Sequence, residues 1–198
     1  MIRLDLPERI VTSRLILCRL RYEDAEEIFY TYASKPDVTK YMSWPTHQSV
    51  EDTRAFLRYA VSGWYEGIDY SFSIRLRASN KLIGSFGVVN EDGRLQFGYI
   101  FSPQYWNQGY ATEVCREMMP RLRAQPGVFR IGTYVDTENG ASLQVLRNAG
   151  LTEEGILRQW MRFPNQGNHP KDCVAFVFAP TGSADRGANT ADSIASSQ

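Results

Sequence analysis

The sequence predicts an α/β (α+β) fold: one mixed sheet of about seven strands with helices on both faces. Three observations carry this. Strand-like alternation recurs along the chain, most cleanly in Tyr70-Ser71-Phe72-Ser73-Ile74-Arg75-Leu76. Helical stretches lie between such runs, so the element order reads β-α-α-β-β-β-α-β-α-β-β. Two of the helices link strands as crossovers while hairpin turns join others, which mixes parallel with antiparallel pairing.

In chain order, residues 1–12 read as an arm. Thr12 to Leu20 alternates well enough for a first strand. Arg21-Tyr22-Glu23-Asp24-Ala25 opens a helix, acidic in its first turn, that runs to about Ala33 with Ala25, Ile28, Phe29 and Tyr32 on one face. Lys35-Pro36 ends it, and a loop with Tyr41, Met42, Trp44 and Pro45 follows. Ser49-Val50-Glu51-Asp52 is an N-cap with an acidic first turn; its helix carries Phe56, Leu57, Ala60 and Val61 and stops near Gly63. Strands are expected over 70–76, 82–89 and 95–101, with turns at Ala78–Lys81 and Glu91-Asp92-Gly93. Gly84 and Gly87 mark a bulge or a close backbone approach. The helix from Gly109 to about Arg123 buries Ala111, Val114, Cys115, Met118 and Leu122, and Pro120 predicts a kink or an early end. A strand over 128–135, a helix from Gly140 to Asn148 with Gly150 just past its end, and strands over 151–161 and 173–178 complete the order. Residues 1–180 are thus expected to form one domain. Residues 181–198, poor in large apolar side chains, are expected to be a disordered tail.

Composition excludes several classes. With 198 residues, 43% hydrophobic and 22% charged, the chain can bury one sizeable core. Lys+Arg and Asp+Glu balance at 22 each, which points away from nucleic acid and from a membrane surface. Cys18, Cys115 and Cys173 have neither metal nor disulfide spacing and read as free thiols of a reducing compartment. No run approaches the ~18 apolar residues of a membrane span, and no signal peptide is apparent, so the expected location is the cytoplasm.

Chemistry concentrates in Leu95 to Met119. An apolar strand leads through a Pro-containing turn into Trp106-Asn107-Gln108-Gly109-Tyr110-Ala111 and then a helix. Such a junction aims the backbone N–H groups of Gln108 to Thr112 at one point, under the positive end of the helix dipole: an anion site. Gly109 and Ala111 are its close-approach positions. A Walker loop needs a lysine that Gly109-Tyr110-Ala111-Thr112 lacks, and a dinucleotide fingerprint needs glycines that Gln108-Gly109-Tyr110-Ala111 does not supply. On this turn alone, an ordinary strand–turn–helix stays open.

Trp106 to Glu113 resembles the acetyl-CoA signature of the GNAT superfamily of N-acetyltransferases, more narrowly the branch of ribosomal-protein N-terminal acetyltransferases of RimJ/RimL type. Other stretches agree. Thr12–Leu17 is similar to the branch's opening strand, Asn139 to Leu151 to its second CoA motif (Asn-x-x-Ser ending in Gly-Leu), and Arg158 to Asp172 to its closing hairpin. The resemblance implies a mostly antiparallel, twisted sheet splayed at its centre. It implies acetyl-CoA as cosubstrate, no metal, and direct transfer in a ternary complex to a primary amine, either a protein N-terminal α-amine or a small-molecule amine. It assigns Tyr99, Ile100 and Phe101 to pantetheine and the acetyl carbonyl, with the backbone of Ile100 at the oxyanion. Gln108, Gly109, Tyr110, Ala111 and Thr112 cradle the pyrophosphate, and Asn139 and Ser142 touch CoA. A homodimer is common in the branch.

Acetyl transfer needs a held thioester, a polarised carbonyl and a neutral amine. By resemblance Ser142 protonates the leaving thiolate; Leu146 stands where many relatives carry Tyr. Ser142 reads equally as a first-turn serine bonding the backbone. Gln96 stands where relatives often carry a Glu base; it cannot take a proton, but it can bind substrate or orient a water. No base is needed if the acceptor is an α-amine, with a pKa of roughly 7.7–8.0. His47 and His169 read as surface histidines. Acceptor binding falls to Tyr41, Trp44, Gln96, Trp160 and Asp172, with Trp64 and Tyr65 nearby, although each aromatic alone is as readily core. Two rival readings stay open: an acyl-CoA-binding module with little or no turnover, and a structural domain whose anion turn is idle.

Overall fold

The computed structural model describes residues 1–167 and 169–179. The tail expected over 181–198, and residue 180 at the domain's end, lie outside the described residues. Eight strands form one sheet among the described residues: β1 Arg9–Val11, β2 Leu15–Arg19, β3 Phe72–Leu76, β4 Leu82–Glu91, β5 Arg94–Phe101, β6 Arg130–Asp136, β7 Thr152–Arg162 and β8 Pro170–Val177. Their spatial order is β1-β2-β3-β4-β5-β6-β8-β7, and every neighbouring pair is antiparallel except β5–β6. Where about seven strands are predicted, the additional one is β1: the arm doubles back and pairs Ile10 with Leu17.

The helices are α1 Ala25–Ile28, α2 Pro36–Thr39, α3 Val50–Glu66, α4 Tyr110–Arg123 and α5 Gly140–Asn148. They cover both faces of the sheet and divide the core. On one face Phe72, Phe86, Leu95 and Phe97 pack with Val114, Met118 and Leu122 of α4 and Leu143 and Leu146 of α5. On the other, Leu82 and Ile100 pack with Ile28 of α1 and Leu57 and Ala60 of α3.

Local chemistry explains most of the boundaries. Ser49 and Asp52 form a reciprocal capping box at the start of α3. Asp92 and Gly93, at φ 53° and 94°, make the two-residue turn that fits strand twist between β4 and β5. The helices depart from expectation in several places. The helix expected over 25–33 is α1 followed by a π turn over Phe29–Ala33, where Ser34 N–H reaches back to the Phe29 carbonyl at 3.2 Å. Pro36, expected only as a stop, also sits at the first turn of α2, where its missing N–H costs nothing. Gly63 does not end α3; a Cβ there would stand 2.8 Å from the Asp69 Cβ, so the glycine serves packing, and the helix ends at Gly67 with φ 82°. α4 runs past Pro120 to Arg123; the carbonyl that loses its partner belongs to Arg116, which is exposed to water.

Candidate active site

The central feature is where the sheet comes apart. β5 and β6 pair only at Arg94–Arg130, Leu95–Ile131 and Gln96–Gly132. Beyond that, β5 stays on β4 as far as Phe101, and β6 stays on β8 as far as Asp136. A wedge therefore opens between two strand edges.

Alternation identifies the groups on those edges. Ser102 N–H donates to the Ile83 carbonyl at 2.8 Å. Exchanged pairs recur every second residue in an antiparallel ladder, so Ile100 with Ser85 is the next one. The peptide groups of Ile100 are turned into β4. This corrects the expectation that its backbone serves the oxyanion: the groups facing the wedge are those of Tyr99 and Phe101. The Phe101 carbonyl accepts Trp106 Nε1 at 2.7 Å, which leaves its N–H on the edge. On β6, Phe178 N–H donates to the Ile131 carbonyl at 2.9 Å, and the same alternation turns the peptide groups of Tyr134 toward the wedge.

At the open end lies the N-terminus of α4. Gly109 caps it at φ 76°, and Glu113 N–H makes the first helical bond, to the Gly109 carbonyl at 3.0 Å. The N–H groups of Tyr110, Ala111 and Thr112 are thus those of an uncapped first turn. Beside them is an open groove of about 720 Å³ lined by Gly109, Thr112 and Arg14. Arg14 is legible in the sequence only as part of a strand. Its Nε bonds Glu113 Oε2 at 2.7 Å, its Nη1 donates to the Gln108 carbonyl at 2.9 Å, and its guanidinium lies 4.3 Å from the Tyr110 ring centroid. Glu113 Oε1 accepts from Thr12 Oγ1 (2.5 Å), Ser13 Oγ (2.9 Å) and Arg14 N–H (3.0 Å). Burial pushes the Glu113 carboxyl up, but these bonds outweigh it and hold its pKa below the ordinary value.

A cavity of about 310 Å³ passes through the wedge, from the first turn of α5 to the face covered by α1 and α3. Of the predicted residues it brings together Tyr41, Trp44, Gln96, Tyr99, Ile100, Asn139 and Ser142, with Leu146 also in its wall. Asn139 caps α5, its side chain accepting the Ser142 N–H at 3.2 Å. The Tyr99 hydroxyl reaches the Ser142 carbonyl at 3.4 Å, and burial pushes its pKa up, so it stays protonated. Two predicted acceptor residues lie apart from the cavity lining. Trp160 is about half exposed and packs on Tyr134, and Asp172 accepts from Gln159 N–H (2.8 Å) and Arg158 (2.5 Å) on the closing hairpin. Trp64 is an aromatic of the core, edge-on to Tyr70 and Phe72.

His47 is not the surface histidine expected. It lines the cavity beside Trp44, bonds Thr53 Oγ1 through Nδ1 at 2.8 Å, and is held neutral by burial, which lowers its pKa against the pull of Asp52. Asp69 is a site residue that sequence reasoning misses. It lies in the cavity wall at 5% exposure, one oxygen accepting the Ser71 hydroxyl at 2.6 Å. Burial pushes its carboxyl up to about 6, against the Ser71 bond. A signal exists: Asp69, Ser71 and Ser73 share one parity in the strand pattern, a polar stripe facing what must be an interior.

Among the described residues no group of His, Cys, Asp and Glu is placed to hold a metal, and no helix is long and apolar enough to cross a membrane. Cys115 lies in the core, its thiol pushed up to about 12 by burial. The wedge offers peptide donors and acceptors, the groove offers amides beside a guanidinium, and the cavity joins the wedge to an apolar chamber.

Residues 14–152 match the acetyltransferase (GNAT) domain family. Over 153 residues the chain is 32% identical to the uncharacterized N-acetyltransferase YoaA of Bacillus subtilis (strain 168), covering 76% of this chain and 86% of that protein. Among solved structures, the microcin C7 self-immunity acetyltransferase MccE in complex with acetyl-CoA and AMP aligns with a TM-score of 0.78 at 16% identity, covering 88% of this chain and 98% of that one. RimL, a ribosomal L7/L12 α-N-protein acetyltransferase, aligns with a TM-score of 0.76 at 18% identity, over 85% of this chain and 92% of that one.

Proposed function

Because the chain belongs to the acetyltransferase (GNAT) domain family and so acetylates an amine from acetyl-CoA, we propose that it transfers the acetyl group directly to a primary amine entering from the face covered by α1 and α3. The observation that carries this reading is the parting of β5 from β6 after Gln96–Gly132, opening toward the first turn of α4. The pyrophosphate sits on the N–H groups of Gln108 to Thr112, with the Arg14 guanidinium beside it. Pantetheine runs inward along β5 and pairs with the Phe101 N–H. The acetyl carbonyl accepts from the Tyr99 N–H, which stabilises the oxyanion as the amine attacks. The C–S bond then breaks, and the Ser142 hydroxyl, in the same cavity, gives its proton to the leaving sulfur and is restored by the proton that the attacking nitrogen sheds as it becomes an amide. Gln96 orients the amine without taking its proton, so the amine must arrive neutral. A peptide α-amine does this readily, at a pKa of roughly 7.7–8.0, as does a small amine of similar basicity.

We also propose the cytoplasm as its location, where the free thiols of Cys18, Cys115 and Cys173 stay reduced. A homodimer through β7 completes the proposal: this 11-residue edge strand exposes Ile156 and Trp160. Thiol release from acetyl-CoA, followed across peptide N-termini and small amines, tests the central reading. Amine-dependent release is expected. Tight CoA binding with no release from any acceptor would instead favour a binding module.

A further inference from the structure

The cavity has a floor with a gap in it. Ladder pairing sets Asp69 opposite Val89 and Val89 opposite Gln96. Two residues along the same strands, Gly87 stands opposite Gly98. Paired residues share a face of a sheet, so Asp69, Ser71, Gly87, Gln96 and Gly98 all look the same way, and all line the cavity. A Cβ on Gly87 would stand 3.0 Å from Ser71 Oγ, and nothing lies within 4 Å of a Cβ on Gly98. A bare channel therefore crosses β5 and β4 from the wedge and ends at Ser71, whose hydroxyl donates to the Asp69 carboxylate from the next row.

Asp69 is a buried carboxylate whose side-chain bond is to the Ser71 hydroxyl; no lysine, arginine or histidine of the described residues pairs with it. Burying a carboxylate without a cation is costly; the cost is met either by taking up a proton, the direction in which burial moves this carboxyl, or by a positive group delivered from outside. The channel supplies a route for one. Its walls on this side, Trp44, Phe56 and Ile28, are apolar, which suits an aliphatic spacer.

We propose that Asp69, oriented by Ser71, anchors a second cationic nitrogen of the acceptor, so that the preferred acceptor is a primary amine carrying another ammonium group one short aliphatic spacer away. This rests on the transfer site proposed at Tyr99. Two strand spacings of about 4.8 Å put β5 about 10 Å across the sheet from Asp69, and Tyr99 stands three residues, about another 10 Å, along β5 from Gln96, the residue level with Asp69, so the reacting carbonyl lies about 14 Å or more from the Asp69 backbone. Allowing for the reach of the Asp side chain, one N–H···O contact and the approach of the attacking nitrogen leaves roughly 7–9 Å between the two nitrogens, the span of a five- or six-carbon chain. The same distance rules out Asp69 as the direct base, since proton abstraction needs a contact of about 2.6–3.2 Å; the attacking nitrogen sheds its proton to water before it enters, a loss that the like charge of the second ammonium favours.

The test compares 1,5-diaminopentane with 1-aminopentane. In the wild type, kcat/KM should favour the diamine by about tenfold or more, the range of a desolvated charge-assisted contact. Asp69→Asn, which keeps an oxygen for the Ser71 hydroxyl, should erase most of that ratio while acetyl-CoA affinity holds. Equal kcat/KM for the two amines in the wild type overturns the proposal and needs no variant. A calorimetric titration of 1,5-diaminopentane into the CoA-bound protein reads the anchor without turnover: Asp69→Asn should bind about tenfold more weakly or worse, and equal affinity overturns the proposal. Thiol release with both amines and no diamine preference defeats the anchor alone. Diamine binding that depends on Asp69, with no thiol release from any acceptor, supports the anchor and defeats the transfer site.

Discussion

Exchanging Gly109 for Asn and for Asp isolates charge from strain in the proposed pyrophosphate cradle. At φ 76° this position favours glycine, but Asn and Asp tolerate the left-handed region better than other residues, below the general cost of about 1–2 kcal/mol. A Cβ there meets only Arg14 Nη2, at an ordinary 3.6 Å. Both variants should fold with similar strain and differ by one negative charge. With phosphate about 5 Å from that carboxylate, Coulomb repulsion is about 3 kcal/mol at an effective dielectric of 20 and under about 1 kcal/mol in bulk water. The groove is open, so an intermediate value of about 1–2 kcal/mol applies, a further loss of roughly 5–30-fold in affinity from Asn to Asp. The new carboxylate would also compete with phosphate for Arg14. Calorimetry with CoA on the wild type and both variants reads the difference. It should shrink between 0.1 M and 1 M salt, where the screening length falls from about 10 Å to about 3 Å. Identical affinities for the Gly109→Asn and Gly109→Asp variants at low salt would refute the placement of the pyrophosphate.

Other substitutions separate the parts of the site. Ser142→Ala should lower kcat by about 10²-fold with little change in acetyl-CoA affinity, as loss of a proton donor does; an equal fall in both would reduce Ser142 to a binding group. Gly98→Leu should fold normally, since nothing lies within 4 Å of its Cβ, but should raise the acceptor KM at unchanged CoA affinity; an unaltered KM would close off the channel as the acceptor's path. Glu113→Gln should lower Tm by about 2–4 °C at pH 7, from about 1 kcal/mol after discounting for the half-exposed Arg14. Because the folded pKa of Glu113 is depressed, its contribution is present above the unfolded value of ~4.3 and is lost as pH falls through the folded one. The two proteins' melting points should therefore converge in acid, and a constant gap would contradict the linkage.

What can be read in advance is what neighbours in sequence decide. The Ser49/Asp52 cap, the Asp92-Gly93 turn and the alternation of 70–76 are local facts, and local rules find them. Gly63 misleads because a glycine late in a helix reads as a stop, whereas here it is a dent for Asp69, a partner six residues on that no helix rule relates to it. The clasp of Arg14 on Glu113 joins residues 99 apart, and only the fold brings them together. The backbone of Ile100 falls on the other edge from the one expected because which peptide groups face the wedge depends on ladder register, and Ser102–Ile83 fixes that register from outside the motif. Asp69 escapes notice because its neighbours give it no spacing, only a parity.

The three-pair stem joining β5 to β6 also bears on how such a protein can change. What the wedge presents is peptide group, and every residue carries one. A substitution along Phe97–Phe101 by anything but proline, which has no N–H, alters a side chain and leaves those donors in place. The chamber beyond is the opposite case: Trp44, His47, Asp69 and the bare floor at Gly87 and Gly98 are all single-codon properties. On the proposed division of labour, the donor is written in a medium that mutation barely touches and the acceptor in one that it edits freely. Drift would then reassign the acceptor long before it disturbed the donor, and two chains of this architecture a few substitutions apart need not share a substrate.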